Sequence, residues 1–202
     1  MEIFSIKLKS VKNSNIFVVT SEIGDHLFHA DMIVKYGIVG GNNDDEKFNI
    51  ALNESAELIA LEMANKYMAS AIKTEKQLRD YLYKKEFKKS TIDKVVKKLE
   101  EYHIIDDFAY AEMYVKSNPN FSKNKIKQKL YLFGIKSEII EEILSDHEDF
   151  EGCLINAQKF LKNKIIDKKI YEKLIRRLIS QGYNYDTIKS VLNKLKFDVD
   201  LL

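Results

Sequence analysis

Proline occurs once and glycine seven times in 202 residues. Sheet-rich chains reverse direction about every ten residues and draw on Gly and Pro to do so, which argues against an all-β fold and for a mainly helical one. The single cysteine, Cys153, excludes an internal disulfide framework and a thiolate zinc cluster, and fits a reducing compartment. No apolar run reaches the ~18 to 20 residues of a membrane span. The start, Met1-Glu2-Ile3-Phe4-Ser5-Ile6, is acidic and alternating, where a signal peptide is basic and then continuously apolar, so a cytoplasmic protein is expected. An excess of charge is lacking too: 33 Lys+Arg against 31 Asp+Glu leave +2. With 45% apolar and 32% charged residues the chain reads as folded rather than disordered, and its length allows one large or two small domains.

The N-terminal residues carry a strand pattern. Ile3, Phe4, Ile6 and Leu8 alternate with polar neighbours, and Ile16-Phe17-Val18-Val19-Thr20 follows the turn-like Lys12-Asn13-Ser14-Asn15. Period-two spacing and β-branched residues around such a cluster predict an antiparallel hairpin. Residues 26–30, after Gly24-Asp25, are expected to add a third short strand, and Gly37 with Gly40-Gly41-Asn42-Asn43-Asp44-Asp45 to form a boundary loop. A sheet this small needs a partner to pack on.

From about residue 49 the spacing becomes helical, with Leu52, Ala56, Ile59, Met63 and Tyr67 recurring at three or four. Self-comparison then finds a 48-residue period. Leu78, Ile126 and Leu174 are in phase, as are Leu82, Leu130 and Leu178; Ile92, Ile140 and Ile188; and Val96, Leu144 and Leu192. Gly134 and Gly182 share the phase at which a helix must stop in a positive-φ conformation, whereas the first copy has Glu86, a weaker cap. Ser90, Ser137 and Tyr185-Asp186 are the N-cap candidates that follow. A helix precedes each pair, at 49–71, 106–117 and 150–163. The expected architecture is mainly α: three tandem three-helix repeats (49–105, 106–149 and 150–202) in an elongated curved array, after a small β-rich element at 1–48.

Candidate chemistry is sparse. The sequence has no phosphate-cradling glycine loop, no His-Glu-x-x-His and no Gly-x-Ser-x-Gly, and nothing in it calls for a cofactor. His147 and Cys153 are too few to make a metal site, and His26 and His29, three apart in strand-like sequence, are expected on opposite faces. Asp106-Asp107 could pair as metal-binding carboxylates, but at the start of a helix containing Tyr110, Ala111 and Tyr114 they read better as caps.

The charge is unevenly spread. Residues 1–60 carry 5 basic and 9 acidic side chains, and residues 151–202 carry 11 and 6, so the near-neutral total conceals a dipole. Residues 116–136 contain six Lys and no acid; residues 159–177 contain eight basic residues against Asp167 and Glu172. On a helix, Leu174 and Leu178 face one side, and Lys169, Lys173, Arg176 and Arg177 fan over the other. In the preceding copy Lys123 and Lys129 flank the Ile126/Leu130 seam, with Lys125 and Lys127 further round. Such a stripe is an ordinary solvated face or a phosphate-binding one, with Lys giving non-directional contact and the Arg pair a fork.

The order of these motifs resembles the RecX family, bacterial modulators of the RecA recombinase. The likeness is carried by Thr74-Glu75-Lys76-Gln77-Leu78-Arg79-Asp80-Tyr81-Leu82, by Ile92-Asp93-Lys94-Val95-Val96-Lys97-Lys98-Leu99, and by Ile105-Asp106-Asp107 with Tyr110-Ala111-Glu112. It continues through Ile126-Lys127-Gln128-Lys129-Leu130 with Gly134-Ile135, and Lys173-Leu174-Ile175-Arg176-Arg177-Leu178 with Gly182-Tyr183 and Tyr185. Val34-Lys35-Tyr36-Gly37-Ile38 is similar to the segment after the hairpin in longer members. Departures are Glu86 and His103 where the family often has Gly, and Lys in place of much of its Arg around residues 122–129.

The resemblance implies a non-enzymatic regulator that binds RecA and the RecA–DNA filament and suppresses ATP hydrolysis, strand exchange and the coprotease activity behind the SOS response. The charge pattern then makes Lys123, Lys125, Lys127, Lys129, Lys162, Lys164, Lys169, Lys173, Arg176 and Arg177 the expected DNA or filament contact, and helix position makes Asp106, Asp107, Gly134 and Gly182 structural caps. A monomer without membrane attachment is expected. Two alternatives stay open at this point: a plain helical DNA-binding protein, sequence-specific or not, and a repeat scaffold that binds proteins only.

Overall fold

The computed structural model describes residues 1–10 and 13–195, in two compact units, Met1–Ile105 and Asp106–Leu202. In the first, strands β1 (Glu2–Ser10), β2 (Asn13–Ser21) and β3 (Gly24–His29) lie antiparallel, and β4 (Gly41–Asn42) completes a sheet of order β3-β2-β1-β4. Ile6 stands opposite Val19, and Val19 opposite His26. The sheet's core face supplies Ile3, Val19 and Phe28, which pack with Met32, Ile38, Phe48 and Ala51.

Three details differ from the sequence reading. Asn13 already pairs with Ser10, so Asn13, Ser14 and Asn15 belong to β2; Lys12 lies outside the described residues. The glycine loop contributes the fourth strand, where Gly41 and Asn42 pair with Ile3 and Glu2. A two-residue strand has no periodicity to read, and the free edge of β1 is what recruits it. Asn43 shapes the approach by donating to the carbonyls of Val39 (2.7 Å) and Gly41 (2.9 Å). Residues Ala30–Tyr36 form a helix, α1, closed by Gly37 at φ 64°.

Helix α2 (Asp45–Ala69) starts four residues before position 49 because the Asp44 carboxylate accepts from the Lys47 amide at 2.8 Å. Its first half buries Phe48 and Ala51 against the sheet. Its second half buries Ala60 and Ala64 against α3 (Glu75–Tyr83) and α4 (Lys89–Glu101), whose Leu78, Leu82, Ile92, Val95, Val96 and Leu99 form a separate core. Small side chains at these two positions leave the neighbouring leucines, valines and isoleucine room to fill the core. Thr74 and Gln77 close a capping box at the start of α3.

The second unit holds six helices among the described residues: α5 (Asp107–Ser117), α6 (Lys123–Leu132), α7 (Ser137–Ile143), α8 (Phe150–Leu161), α9 (Lys168–Ser180) and α10 (Tyr185–Lys194). One core gathers Tyr110, Ala111, Ile126, Leu130, Ile135 and Ile140, and another gathers Cys153, Ala157, Leu174, Leu178, Ile188 and Val191.

The 48-residue period is visible in the backbone. Glu86, Gly134 and Gly182 end α3, α6 and α9 at φ 64°, 86° and 88°. Behind each, the next amide returns to a carbonyl five residues back: Phe87 to Leu82, Ile135 to Leu130 and Tyr183 to Leu178, at 3.3, 3.0 and 3.2 Å. Glu86 thus makes the same turn as the glycines, at a steric cost of about 1 kcal/mol. The N-caps of the following helices are Lys88, Lys136 and Asn184, in phase with one another. Ser90, Ser137, Tyr185 and Asp186 lie inside their helices, which corrects the capping roles expected of them. Only Asn184 of the three caps with its side chain, accepting from Thr187 at 2.7 Å; the tight turn, not the cap side chain, sets where the helix begins.

Candidate functional site

Helix α9 is the strongly amphipathic basic element. Asp167 caps it by accepting from the Ile170 amide at 2.7 Å, and Leu174 and Leu178 are wholly buried. Lys169, Lys173, Arg176 and Arg177 are exposed along the opposite side, and Lys162 and Lys164 are exposed in the loop before it. Arg176 lies 3.3 Å from the Glu172 carboxylate, one turn back. Both are solvated, so that pair holds the arginine only weakly.

Phe160, at the end of α8, was not singled out in the sequence. The Lys164 ammonium sits over its ring, 3.5 Å from the centroid, and the Arg177 guanidinium lies 5.8 Å away. The ring attracts both through its negative face, so two cations distant in sequence share one aromatic support. The available signal was an aromatic four residues before a lysine inside the basic segment.

The α6 lysines are more committed. Lys123 is half-buried, and its amide donates to Asp149 at 2.6 Å. Lys125 stacks over Phe121 at 3.7 Å. Lys127 forms an ion pair with Glu141; the hydrogen bond raises the lysine's pKa and lowers the carboxyl's. Lys129 is exposed. An open pocket of about 460 Å³ joins Asn124, Lys127, Gln128 and Tyr131 of α6 to Ile179 and Gly182 at the end of α9. Lys169 is ten residues upstream of Ile179, about 15 Å along the helix axis, whereas Arg176 and Arg177 are in the turn just before it, so α6 meets α9 beside the arginine pair and away from Lys169.

The capping residues take distinct places. Asp106 caps α5 by accepting from Ala109 at 2.8 Å, and Asp107 is the first residue of that helix. Gly134 ends α6, and Gly182 ends α9 against Ser122. His26 packs edge-on against Phe48, with ring centroids 5.9 Å apart, and His29 Nε2 lies 3.2 Å from Glu62. Both rings therefore meet α2, because the chain leaves the sheet for α1 at His29. Among the described residues no three His, Cys, Asp or Glu side chains converge as metal ligands, and no helix is long and apolar enough to cross a membrane.

Fold and surface together define a helical-repeat protein with an N-terminal sheet, whose concentrated exposed chemistry is a basic helix face. A family model described as "RecX, first three-helix domain" matches residues 60–99. The chain is 38% identical over 174 residues to "Regulatory protein RecX" of Clostridium botulinum (strain Alaska E43 / Type E3), covering 82% of each. It is 32% identical over 203 residues to the protein of that name in Clostridium perfringens (strain SM101 / Type A), covering 96% of each. The crystal structure of a regulatory protein RecX superposes with a TM-score of 0.69 at 17% identity, over 95% of this chain and 98% of that one. That of RecX from Lactobacillus salivarius gives 0.63 at 23% identity, over 73% and 98%. This chain belongs to the RecX family.

Proposed function

We propose that the chain is a non-enzymatic regulator that binds RecA and the RecA–DNA filament and restrains ATP hydrolysis, strand exchange and coprotease action, thereby damping recombinational repair and the SOS response. The observation that carries the reading is family membership along most of the chain, at 38% identity to a named regulatory protein. The exposed basic set on α9 supports a nucleic-acid contact, since lysine and arginine that neutralise phosphates release counterions and gain affinity from it. Lys162, Lys164, Lys169, Lys173, Arg176 and Arg177 make that contact. The α6 side contributes chiefly Lys129, because Lys123, Lys125 and Lys127 are partly buried or paired. The three-helix groups at 49–105, 106–149 and 150–202 serve as successive modules of a monomer.

The test is direct. Purified protein is added to the homologous RecA on single-stranded DNA and ATP hydrolysis is followed. The expected result is suppression near stoichiometric amounts; an unchanged rate would sink the reading.

A further inference from the structure

The loop between α8 and α9 carries an apolar tip inside the most basic part of the chain. Ile165 is 91% exposed, the highest value of any large apolar side chain among the described residues, and its neighbour Ile166 is 56% exposed. Lys162 and Lys164 precede them and Lys168 and Lys169 follow, all exposed. The single acid in the loop, Asp167, is engaged with the Ile170 amide as the cap of α9.

The tip is held at both ends. On one side the Lys162 amide donates to Gln158 at 3.0 Å and the Lys164 amide to Leu161 at 2.9 Å. Asn163 turns the chain at φ 61°. The Lys164 ammonium bonds the Phe160 carbonyl and covers the Phe160 ring. On the other side the Tyr171 amide donates to Asp167 at 3.0 Å. The isoleucines are thus presented on a short strut whose entropy is already restricted, and ordering it on binding costs little.

We infer that this tip is a wedge that enters a base step of duplex DNA while the lysines on either side hold the flanking phosphates. Charge selects the partner class, because four lysines around two isoleucines fit a polyanion with an apolar interior, and a stack of bases under phosphates is one. Isoleucine is among the side chains that unstack steps in this way, and partial unstacking bends the duplex. A bilayer is a poorer fit, since two isoleucines bury too little area to anchor in acyl chains. The wedge rests on the DNA-contact reading of the basic face and adds to it a distortion of the DNA, which lysines alone would not produce.

The experiment uses the full chain, an oligonucleotide duplex carrying one 2-aminopurine, and the double variant I165S/I166S. Both side chains are solvent-facing, so the variant is expected to melt at the same temperature as the parent by circular dichroism. With the parent protein, 2-aminopurine fluorescence should rise severalfold on binding. The variant should bind with an unchanged salt slope, at an affinity lowered by no more than about tenfold, and with no rise. Binding of the parent without a rise, or a rise that survives in the variant, would overturn the wedge and leave the basic-face reading standing. Absence of binding by both proteins at low salt would overturn the basic-face reading and the wedge with it. A variant that loses affinity for RecA alone, with DNA binding and fluorescence unaltered, would show that the tip docks on protein and would also overturn the wedge.

Discussion

Ser122 and Gly182 approach so closely that a Cβ on the glycine would lie 2.6 Å from the serine Oγ. That hydroxyl accepts from the Lys125 amide at 3.1 Å, capping α6, and donates to the Gln181 carbonyl at 2.8 Å, closing α9. One side chain thus caps the start of α6 and the end of α9, at a residue 59 positions further along the chain. Gly182→Ala should therefore cost about 3 kcal/mol, through strain at φ 88° and the clash, and Gly134→Ala should cost about 1 to 2 kcal/mol through its strain at φ 86°. Urea denaturation checks this. If Ser122→Gly removes the clash, the double variant with Gly182→Ala will be less destabilised than the sum of the two single changes.

Glu86 makes the turn that its in-phase partners make with glycine. Replacing it by Gly removes the contact between Cβ and the backbone but loosens the unfolded chain, so Glu86→Gly should stabilise the first unit by about 0.5 to 1 kcal/mol. A midpoint in urea equal to or below the parent's would contradict this.

Tyr183 and Cys153 predict a loss of stability in alkali. Burial pushes the Tyr183 hydroxyl up to about 12 against a weaker opposing hydrogen bond from Asn156, and burial beside Asp149 pushes the Cys153 thiol up to about 11. Both groups hold their protons more tightly in the folded state. Their contribution is full below pH ~9, then falls as the unfolded-state groups ionise, and is gone only above their folded values; each accounts for about 2 kcal/mol. Tyr183→Phe should flatten the upper part of that decline. It should also cost about 1 to 2 kcal/mol at neutral pH, because the hydroxyl donates to the Asn120 carbonyl at 2.7 Å. For the same reason Cys153 should resist alkylation in the native protein and react readily once urea unfolds it.

Reversal of Lys169, Lys173 and Arg177 to Glu should weaken oligonucleotide binding severalfold or more and reduce the dependence of log K on log salt by roughly one per lost phosphate contact. Lys127→Glu should matter far less, since its ammonium already faces Glu141. Equal effects from α6 and α9 changes would contradict the assignment of the contact to α9.

The helical class, the strand pair near the N-terminus and the 48-residue period were legible in the sequence because they depend on local periodicity: apolar residues at 3.6 or 2.0 spacing bury one face whatever they pack against. Glycine in phase marked the turns of α6 and α9 for the same reason. Residue type misleads where the backbone turn or a strand pairing decides the role. Ser90 and Ser137 have the side chains of caps, yet the tight turn puts the N-cap positions at Lys88 and Lys136. The strand at Gly41 and Asn42 exists only because β1 offers an unpaired edge.

The basic face shows the same division. Sequence alone determined that Lys169, Lys173, Arg176 and Arg177 share one side of a helix, because helical geometry fixes their angles once Leu174 and Leu178 turn inward. Tertiary structure alone decided which lysines stay free. Glu141 comes from the next helix to meet Lys127, and Phe160 gathers Lys164 and Arg177 from either side of a loop whose isoleucines it leaves in solvent. Spacing sets the direction in which a charge points, but the neutralising or stacking partner arrives by packing, and packing is a property of the whole fold.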